Sequence, residues 1–434
     1  MLSRYARVVK MDSGETLLFN PMNGALLCLS KADLDALECY IKEGKKKEHS
    51  NIIDSLIRCD FFINNEKNEN KYLHSVFERR KNSTSSLGLT IIPYLGCNLD
   101  CKYCFVGKKS ERITQDTCDG IVRLIEAKAG GLKKLSLTWM GGEPLIGKKA
   151  IASLSERIIE ICHRERVAYH ARILTNGLLL TEETAKILKA CQVTLAQVSI
   201  DGSKYMQDVR RKAARGKDTY NIVMDNIASA VNYINIGLRV NIDKSNSDDI
   251  ATLLDDLEKR GLKKKVVINF GQLVSFEGVC ELVNDQCYTK REFSEVEVEL
   301  YSQAINKGFF FGDFLFPSPM FCGALTKNSL TIDPGGAVHR CWNLIGRDEN
   351  KVGHLYRDRI EFNSSDALWM DYNPYNNESC CKCDIFPLCS GGCPYNVLLG
   401  STKQEKNCQP LKWNLDSIIK LTFESGGDIA AKST

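Results

Sequence analysis

The 434-residue sequence lacks long apolar runs and lacks an excess of either charge. No stretch approaches the roughly 20 apolar residues that cross a bilayer, and the first residues lack the apolar core of a signal peptide. The 58 basic and 54 acidic residues nearly cancel, at +4, which argues against nucleic acid or an anionic membrane as a partner. We therefore expect a cytoplasmic protein of two or three domains, each with its own core.

Cysteine, in contrast, is abundant. Nineteen cysteines would form a disulfide framework in a small secreted chain, but in a long cytosolic one they indicate metal binding. Ten of them fall into two groups with regular spacing, one within residues 97–104 and one within residues 322–408. The other nine, such as Cys28, Cys39, Cys162 and Cys191, stand in apolar or amphipathic runs and are expected to be small hydrophobic residues of the core.

Residues 88–271 alternate short β-branched or apolar runs with amphipathic segments of helical period. Helices are predicted between the runs, for example at 115–128, 150–164, 182–190 and 248–259. Six such βα repeats are fewer than the eight of a complete barrel, so an open, partial (β/α)6 TIM-like barrel is expected in an α/β chain. The predicted strands are 87–92, 134–139, 170–174, 195–200, 238–242 and 266–270.

Polar and glycine residues follow these strands, at the end where such barrels place their active sites. The first strand precedes the cysteine loop, and the later ones precede Gly141-Gly142-Glu143-Pro144, Thr175-Asn176-Gly177, Ser199-Ile200-Asp201-Gly202 and the segment 241–243.

Residues 1–80 form a separate predicted unit, with two strands at 7–11 and 16–19 and helices near 32–42 and 51–59. Two short strands followed by helices indicate a winged-helix-like domain. The alternative is a structural cap with no ligand. The barrel is assigned to 87–310, a cysteine-rich domain to 311–420 and a flexible tail to 421–434, whose small polar residues from 426 onwards are expected to be disordered.

The first cysteine group is Cys97, Cys101 and Cys104, at CxxxCxxC spacing with Tyr103 before the last. Three thiolates leave one iron of a [4Fe-4S] cluster open to a ligand that is not protein. The motif resembles the signature of radical S-adenosylmethionine (SAM) enzymes. That resemblance implies that SAM chelates the open iron and is cleaved to a 5′-deoxyadenosyl radical, which abstracts a hydrogen atom from the substrate.

The resemblance also implies a set of SAM contacts at the same barrel end. Gly141, Gly142 and Glu143 resemble the family's GGEP motif, and Ser199 and Asp201 resemble the polar pair that contacts the SAM ribose or carboxylate. Related sequences often continue with His-Asp-x-x-Arg. Here Gln207 replaces the histidine while the arginine is kept as Arg211, a candidate bidentate partner of the SAM carboxylate. The predicted cofactor-binding residues are Tyr103, Gly141, Gly142, Glu143, Asn176, Ser199, Asp201, Arg211 and Asn241, of which the two asparagines could instead cap the sheet end.

The second cysteine group resembles the SPASM domain of radical SAM peptide-modifying enzymes, which implies two auxiliary iron–sulfur clusters. Carried over position by position, Cys380, Cys383, Cys389 and Cys408 would hold one cluster, and Cys322, Cys341 and Cys393 the other. The second set is one ligand short, so its open iron could take a substrate thiolate or an electron, or a water or another side chain could fill it. Cys381 is interpreted as a bystander. A zinc site is the alternative for the four-cysteine run.

The resemblance favours an enzyme that matures a ribosomally made peptide, with the N-terminal unit as the recognition element for the leader. Sulfatase-maturing relatives usually carry an aspartate after the second SPASM cysteine, where this chain has Trp342. The expected product is an intramolecular thioether or carbon–carbon crosslink, and the expected partners are a precursor peptide with its leader and an electron donor such as flavodoxin or ferredoxin. No catalytic residue is predicted beyond the cluster cysteines. The alternatives are a sulfatase-maturing enzyme, a peptide epimerase and a zinc-stabilised peptide-binding protein without catalysis.

Overall fold

The computed structural model describes residues 2–44, 51–63, 69–106, 109–213, 218–275, 281–311, 322–357, 359–400 and 407–425. The predicted disordered end at 426–434 and much of the junction between the barrel and the cysteine-rich domain therefore lie outside the described residues. No helix within the described ranges is long and apolar enough to cross a membrane.

The N-terminal unit is a three-stranded antiparallel sheet in the order β1-β2-β3, with three helices. The third strand, Leu26–Leu29, was not predicted: it is only four residues long, and a single residue, Ser30, separates it from the first helix. A capping box between Ser30 and Asp33 begins the first helix. The elements are β1 (Arg7–Lys10), β2 (Thr16–Phe19), β3 (Leu26–Leu29), α1 (Lys31–Glu43), α2 (Asn51–Arg58) and α3 (Glu69–Lys81).

The barrel contains six consecutive parallel strands, as expected, and each predicted strand overlaps an observed one, with bounds that differ by at most three residues. Helices α7, α8 and α10 were not among the examples predicted. The elements are β4 (Ser86–Ile91), α4 (Gln115–Ala129), β5 (Lys134–Trp139), α5 (Lys148–Arg164), β6 (Ala168–Thr175), α6 (Glu182–Ala190), β7 (Val193–Ile200), α7 (Lys204–Arg210), α8 (Tyr220–Ala230), β8 (Asn235–Ile242), α9 (Ile250–Lys259), β9 (Val266–Gln272), α10 (Lys290–Asn306) and β10 (Phe310–Phe311).

The barrel strands alternate between two environments. On β7, Val198 and Ile200 are fully buried against the helices, whereas Gln197 and Ser199 are half-buried on the interior face. The same alternation runs through β8, so the outer face supplies the hydrophobic core and the inner face is polar. The inner face of these strands is therefore polar and only partly buried, and it is not part of the hydrophobic core.

The cysteine-rich region does not form a sheet of its own. β11 pairs in parallel with β4, from Ser329 opposite Gly88 to Ile332 opposite Ile91, so one sheet runs from β10 through the barrel to β14. The helix α15 continues past the predicted start of the tail at 421, and Leu421 is buried. The elements are β11 (Ser329–Ile332), β12 (Ala337–His339), β13 (Gly353–Leu355), β14 (Ile360–Phe362), α11 (Ser365–Asp371), α12 (Glu378–Cys381), α13 (Phe386–Cys389), α14 (Pro394–Leu399) and α15 (Leu411–Glu424).

The N-terminal unit packs on the cysteine-rich region. Arg7 forms a salt bridge with Asp416 of α15 (Nε to Oδ1, 2.7 Å), and Asn70 donates to the carbonyl of Cys381 (3.1 Å). The rings of Tyr375 and Phe386 stack edge to face at 4.8 Å between centroids, in an apolar group shared with the N-terminal unit. The predicted recognition unit thus touches the loop that carries two of the predicted cluster cysteines.

Candidate active site

The loop of residues 97–104, which carries the first cysteine group, follows β4 at the carboxyl end of the barrel. Leu99 forms a β-bridge with Ala213, and the backbone N–H of Asp100 donates to the carbonyl of Lys212 (2.8 Å). Burial raises the pKa of the Cys97 thiol to about 11, so its deprotonation is coupled to metal binding. The three cysteines are thus held beside the segment that follows α7.

The Gly141-Gly142-Glu143 loop after β5 lies directly against this cysteine loop. A Cβ on Gly142 would stand 2.2 Å from the carbonyl oxygen of Gly96, the residue before Cys97. The N–H of Glu143 donates to that same oxygen at 2.9 Å. Glycine is therefore required because two backbone segments meet here, and the close approach inferred from the sequence occurs against the protein's own cysteine loop.

The Glu143 carboxylate is buried and acts within the protein. One oxygen accepts from the Leu145 N–H (3.0 Å) and the Thr175 hydroxyl (2.8 Å), and the other accepts from the Asn176 N–H (2.8 Å). Burial raises the pKa of Glu143, and these three donors oppose the rise. Glu143, a predicted cofactor-binding residue, therefore makes structural contacts here: its carboxylate holds the glycine loop to the end of β6.

Asn176 connects the end of β6 to the cysteine loop. Its side-chain Nδ2 donates to Asn98 Oδ1 (2.7 Å) and lies 3.6 Å from Cys97 Sγ. Its Oδ1 accepts from the Leu178 N–H (3.0 Å), so Asn176 caps the end of β6, one of the two roles left open by the sequence, and also contacts the cysteine loop.

Asp201, at the end of β7, is the centre of a buried polar network. The Tyr103 hydroxyl donates to Asp201, Arg211 donates to the Tyr103 oxygen (2.5 Å), and Asn241 Nδ2 donates to Asp201 Oδ1 (3.3 Å). Burial raises the pKa of Tyr103 well above its usual value, so its hydroxyl keeps the proton that it donates. Four predicted cofactor residues from four chain segments therefore meet at one point.

Arg211 retains one unused donor. Its Nε is buried and has no partner among the described residues. Burial alone would lower the pKa of Arg211, but Tyr103, Cys101 and Asp201 raise it well above its usual value, so the group is a cation. A buried N–H without a partner is costly, and a carboxylate such as that of SAM would satisfy it. The residues present therefore fit SAM at this position.

Sequence reasoning missed Arg210, which precedes Arg211. Arg210 donates to Asp243 (2.7 Å) and to Asp201 (3.3 Å), and its guanidinium lies 5.4 Å from the centroid of the Tyr103 ring. Gln207, which replaces the family's histidine, accepts a hydrogen bond from the Asp201 N–H (2.9 Å). The sequence signal for Arg210 is its position next to Arg211, but the His-Asp-x-x-Arg motif points to Arg211 alone.

The predicted four-cysteine set lines a single cavity. Its volume is about 290 Å³, and its wall includes Cys380, Cys383, Cys389 and Cys408. Cys381 is absent from this wall; its thiol instead donates to the carbonyl of Tyr375 at 3.2 Å. This placement agrees with the interpretation of Cys381 as a bystander.

The other three predicted auxiliary cysteines also lie near one another. Burial raises the pKa of Cys341, and the charges of Cys322 and Cys393 raise it further. In the described part of the chain, no three cysteine, histidine or acidic side chains are grouped tightly enough for one metal ion. Trp342, which follows Cys341, is 37% exposed.

Comparisons with known proteins agree with this architecture. Residues 91–257 match the radical SAM superfamily model. The chain is 22% identical to the radical SAM cyclopropyl synthase TigE of Paramaledivibacter caminithermalis, over 91% of this chain and 89% of the relative. It is 24% identical to a cysteine-type anaerobic sulfatase-maturating enzyme of Clostridium novyi, over 78% of this chain and 97% of that enzyme.

Two solved structures show the same fold. One is anSMEcpe with bound AdoMet, with a TM-score of 0.62, 18% identity and coverage of 79% of this chain and 97% of that chain. The other is Streptococcus suis SuiB bound to S-adenosylmethionine, with a TM-score of 0.52, 17% identity and coverage of 93% of this chain and 98% of that chain.

The barrel, the three-cysteine loop and the match over residues 91–257 define a radical SAM domain. The chain is a radical SAM enzyme, and its cofactors are a [4Fe-4S] cluster and SAM.

Proposed function

We propose that this enzyme matures a ribosomally made peptide by forming an intramolecular thioether or carbon–carbon crosslink. The observation that carries the proposal is the combination, in one chain, of the SAM-site network, two further cysteine sets and an N-terminal unit packed on one of them. One relative is named as a radical SAM cyclopropyl synthase and another as an anaerobic sulfatase-maturating enzyme. One of the matched structures is SuiB bound to the precursor peptide SuiA. These names support a peptide as the substrate class.

The three-cysteine loop would hold the cluster through Cys97, Cys101 and Cys104. The Asp201 network would orient SAM, with the Arg211 Nε directed to its carboxylate. When bound, the reduced cluster and SAM supply a 5′-deoxyadenosyl radical that removes one hydrogen atom from the peptide. Closing a crosslink then releases a second hydrogen as a proton and an electron. That electron needs an acceptor, and the second group of cysteines would bind the auxiliary clusters that provide one.

The N-terminal unit, assigned to residues 1–80, would bind the leader. β3 lies at the edge of its sheet and has no strand on its outer side among the described residues. An exposed edge strand can bind an extended peptide through backbone hydrogen bonds. Helix α3 of this unit contacts the 380–383 loop through Asn70 and Leu73. A leader bound to this unit would therefore be held close to the cysteine-rich region.

The crosslink is favoured over sulfatase maturation by Trp342, which occupies the position of the aspartate found in that branch. A thioether is preferred because a cluster held by Cys322, Cys341 and Cys393 would have one iron that could bind a substrate thiolate. The proposal also includes the domain assignment given above, an electron donor of the flavodoxin or ferredoxin class, and a cytoplasmic location.

The test is an anaerobic reaction of the iron-reconstituted enzyme with SAM, a reductant and the short peptide encoded beside its gene. Loss of two hydrogens, with a new bond located by fragmentation, is the expected result, and Cys101→Ala is the inactive control. Deuterium uptake from solvent at unchanged hydrogen count would instead identify an epimerase. Formation of 5′-deoxyadenosine with a peptide of unchanged mass and chirality would contradict the proposal, as would zinc in place of iron.

A further inference from the structure

Arg239 projects into the barrel interior from β8. Its neighbours Leu238 and Val240 are fully buried on the helix side, which places Arg239 on the opposite, inner face. Its guanidinium lies directly over Gly271 of β9, where a Cβ would stand 1.7 Å from Arg239 Cζ. The absence of a side chain at residue 271 is therefore what gives this guanidinium its position.

Among the described residues, the hydrogen-bond acceptors of Arg239 are neutral. It donates to Asn269 Oδ1 (2.8 Å) and Asn241 Oδ1 (3.3 Å). Arg210, in contrast, has carboxylate partners in Asp243 and Asp201. Burial lowers the pKa of Arg239, which is the effect of placing a cation away from water without a matching counterion.

The nearest titratable groups do not supply that counterion. Lys290 at the start of α10 adds a second positive charge, and burial lowers its pKa too. Glu297 is 6% exposed and accepts from Asn414 (2.9 Å), and burial raises its pKa to about 7. At neutral pH this carboxyl is incompletely ionised, and the other carboxylate that acts on Arg239, Asp201, is already paired with Arg210.

The location of Arg239 gives this charge a function. Asn241, which holds Arg239, also donates to Asp201 of the SAM network (3.3 Å). On the other side, Lys290 is close enough to Cys393 of the predicted auxiliary set for the two charges to interact. Arg239 therefore lies between the SAM network and Lys290, which is close to the predicted set of Cys322, Cys341 and Cys393, in the interior that a substrate must enter to react.

We propose that Arg239 binds a carboxylate of the peptide substrate, either an acidic side chain or the C-terminal carboxylate, and so positions the peptide in the barrel. The proposal rests on the proposed peptide-maturing function. A guanidinium held by two asparagine side chains is pre-oriented, and a carboxylate is the planar anion that its fork recognises in a bidentate manner.

The test combines enzyme and peptide variants. Steady-state kinetics are measured for the wild type, Arg239→Gln and Arg239→Lys with the native precursor peptide, with versions whose Asp or Glu residues are changed to Asn or Gln, and with a C-terminal amide. Arg172→Gln is the matched control, because Arg172 is an interior arginine on β6 that donates to Thr138 (3.0 Å).

We expect Arg239→Gln to raise the KM for the native peptide at least tenfold, with Arg239→Lys in between. One of the neutralised peptides should show the same rise in KM with the wild type, and its KM should not rise further with Arg239→Gln. If this peptide is an Asn or Gln version, the bound carboxylate is a side chain; if it is the amide, the bound carboxylate is the C-terminus. Additive effects, equal effects of Arg172→Gln, or wild-type indifference to every neutralised peptide would overturn the inference. Weaker SAM binding by Arg239→Gln without peptide, measured by calorimetry, would assign the residue to the SAM site instead.

These outcomes are distinct from failure of the proposed function. A wild type that leaves the native peptide unmodified contradicts that function. A wild type that modifies native and neutralised peptides equally contradicts only the role of Arg239. The peptide arms need no enzyme variant, so they decide the question even where Arg239→Gln folds poorly.

Discussion

Glu297 offers a sharp test of the electrostatics at the open edge of the barrel, because its buried carboxyl should make the protein less stable as the pH rises. Burial raises its pKa from 4.5 to about 7 in the folded protein. The folded state therefore holds this proton more tightly than the unfolded state does. The resulting stabilisation is fully present below about pH 4.5 and is lost as the pH rises through about 7.

The magnitude follows from the gap between the two pKa values, which corresponds to roughly 3 kcal/mol at most. Glu297→Gln keeps an acceptor oxygen for Asn414 and cannot ionise, so it mimics the protonated acid. The stability of this variant relative to the wild type should thus increase between pH 5 and pH 8, by up to about 3 kcal/mol.

The assay is anaerobic thermal or denaturant unfolding of the two proteins in parallel over this pH range, comparing their difference at each pH. Glu299→Gln is the control, because Glu299 is an exposed glutamate on the same helix. A difference between wild type and Glu297→Gln that stays constant with pH would refute the argument that burial dominates this site.

Three further predictions concern the cluster and SAM sites. Gly142→Ala places a methyl group into the backbone before the cysteine loop and should reduce iron content and SAM binding, whereas Gly130→Ala, with open space around it, should leave both intact. Tyr103→Phe removes the hydroxyl shared by a buried acid and arginine and should weaken SAM binding about tenfold or more, checked by calorimetry. Cys380→Ala should lower the iron per chain, but Cys381→Ala should not; equal losses would contradict the assignment of the cavity ligands.

Much of the fold could be predicted because the strands of the barrel alternate strongly. The segment 134–139 was predicted as a strand and is β5, and 182–190 was predicted as a helix and is α6. Thr181 supplies the N-cap of that helix by accepting from the Thr184 N–H, a local signal present in the sequence. The continuation of the barrel sheet into β11 could not be predicted, because the pairing of strands so distant in sequence leaves no local pattern.

The site shows the same division. Tyr103, Asp201, Arg211 and Asn241 were identified from motifs and from their positions after strands, and they meet in one network. Arg239 and Glu297 belong to no sequence motif. Their proposed roles depend on which charged and uncharged groups surround them in the folded protein.

By itself, the sequence determined the chemistry available to this protein: three thiolates in a loop after the first barrel strand, two further cysteine sets, and a partial barrel to hold them. These follow from local spacing and periodicity. Only the tertiary structure decided that Glu143 supports the loop from within, that Cys381 faces away from the four-cysteine cavity, and that Arg239 lies over Gly271 with two asparagine partners. The physical reason is that charge balance and close approach depend on which distant segments meet, and the fold alone brings them together.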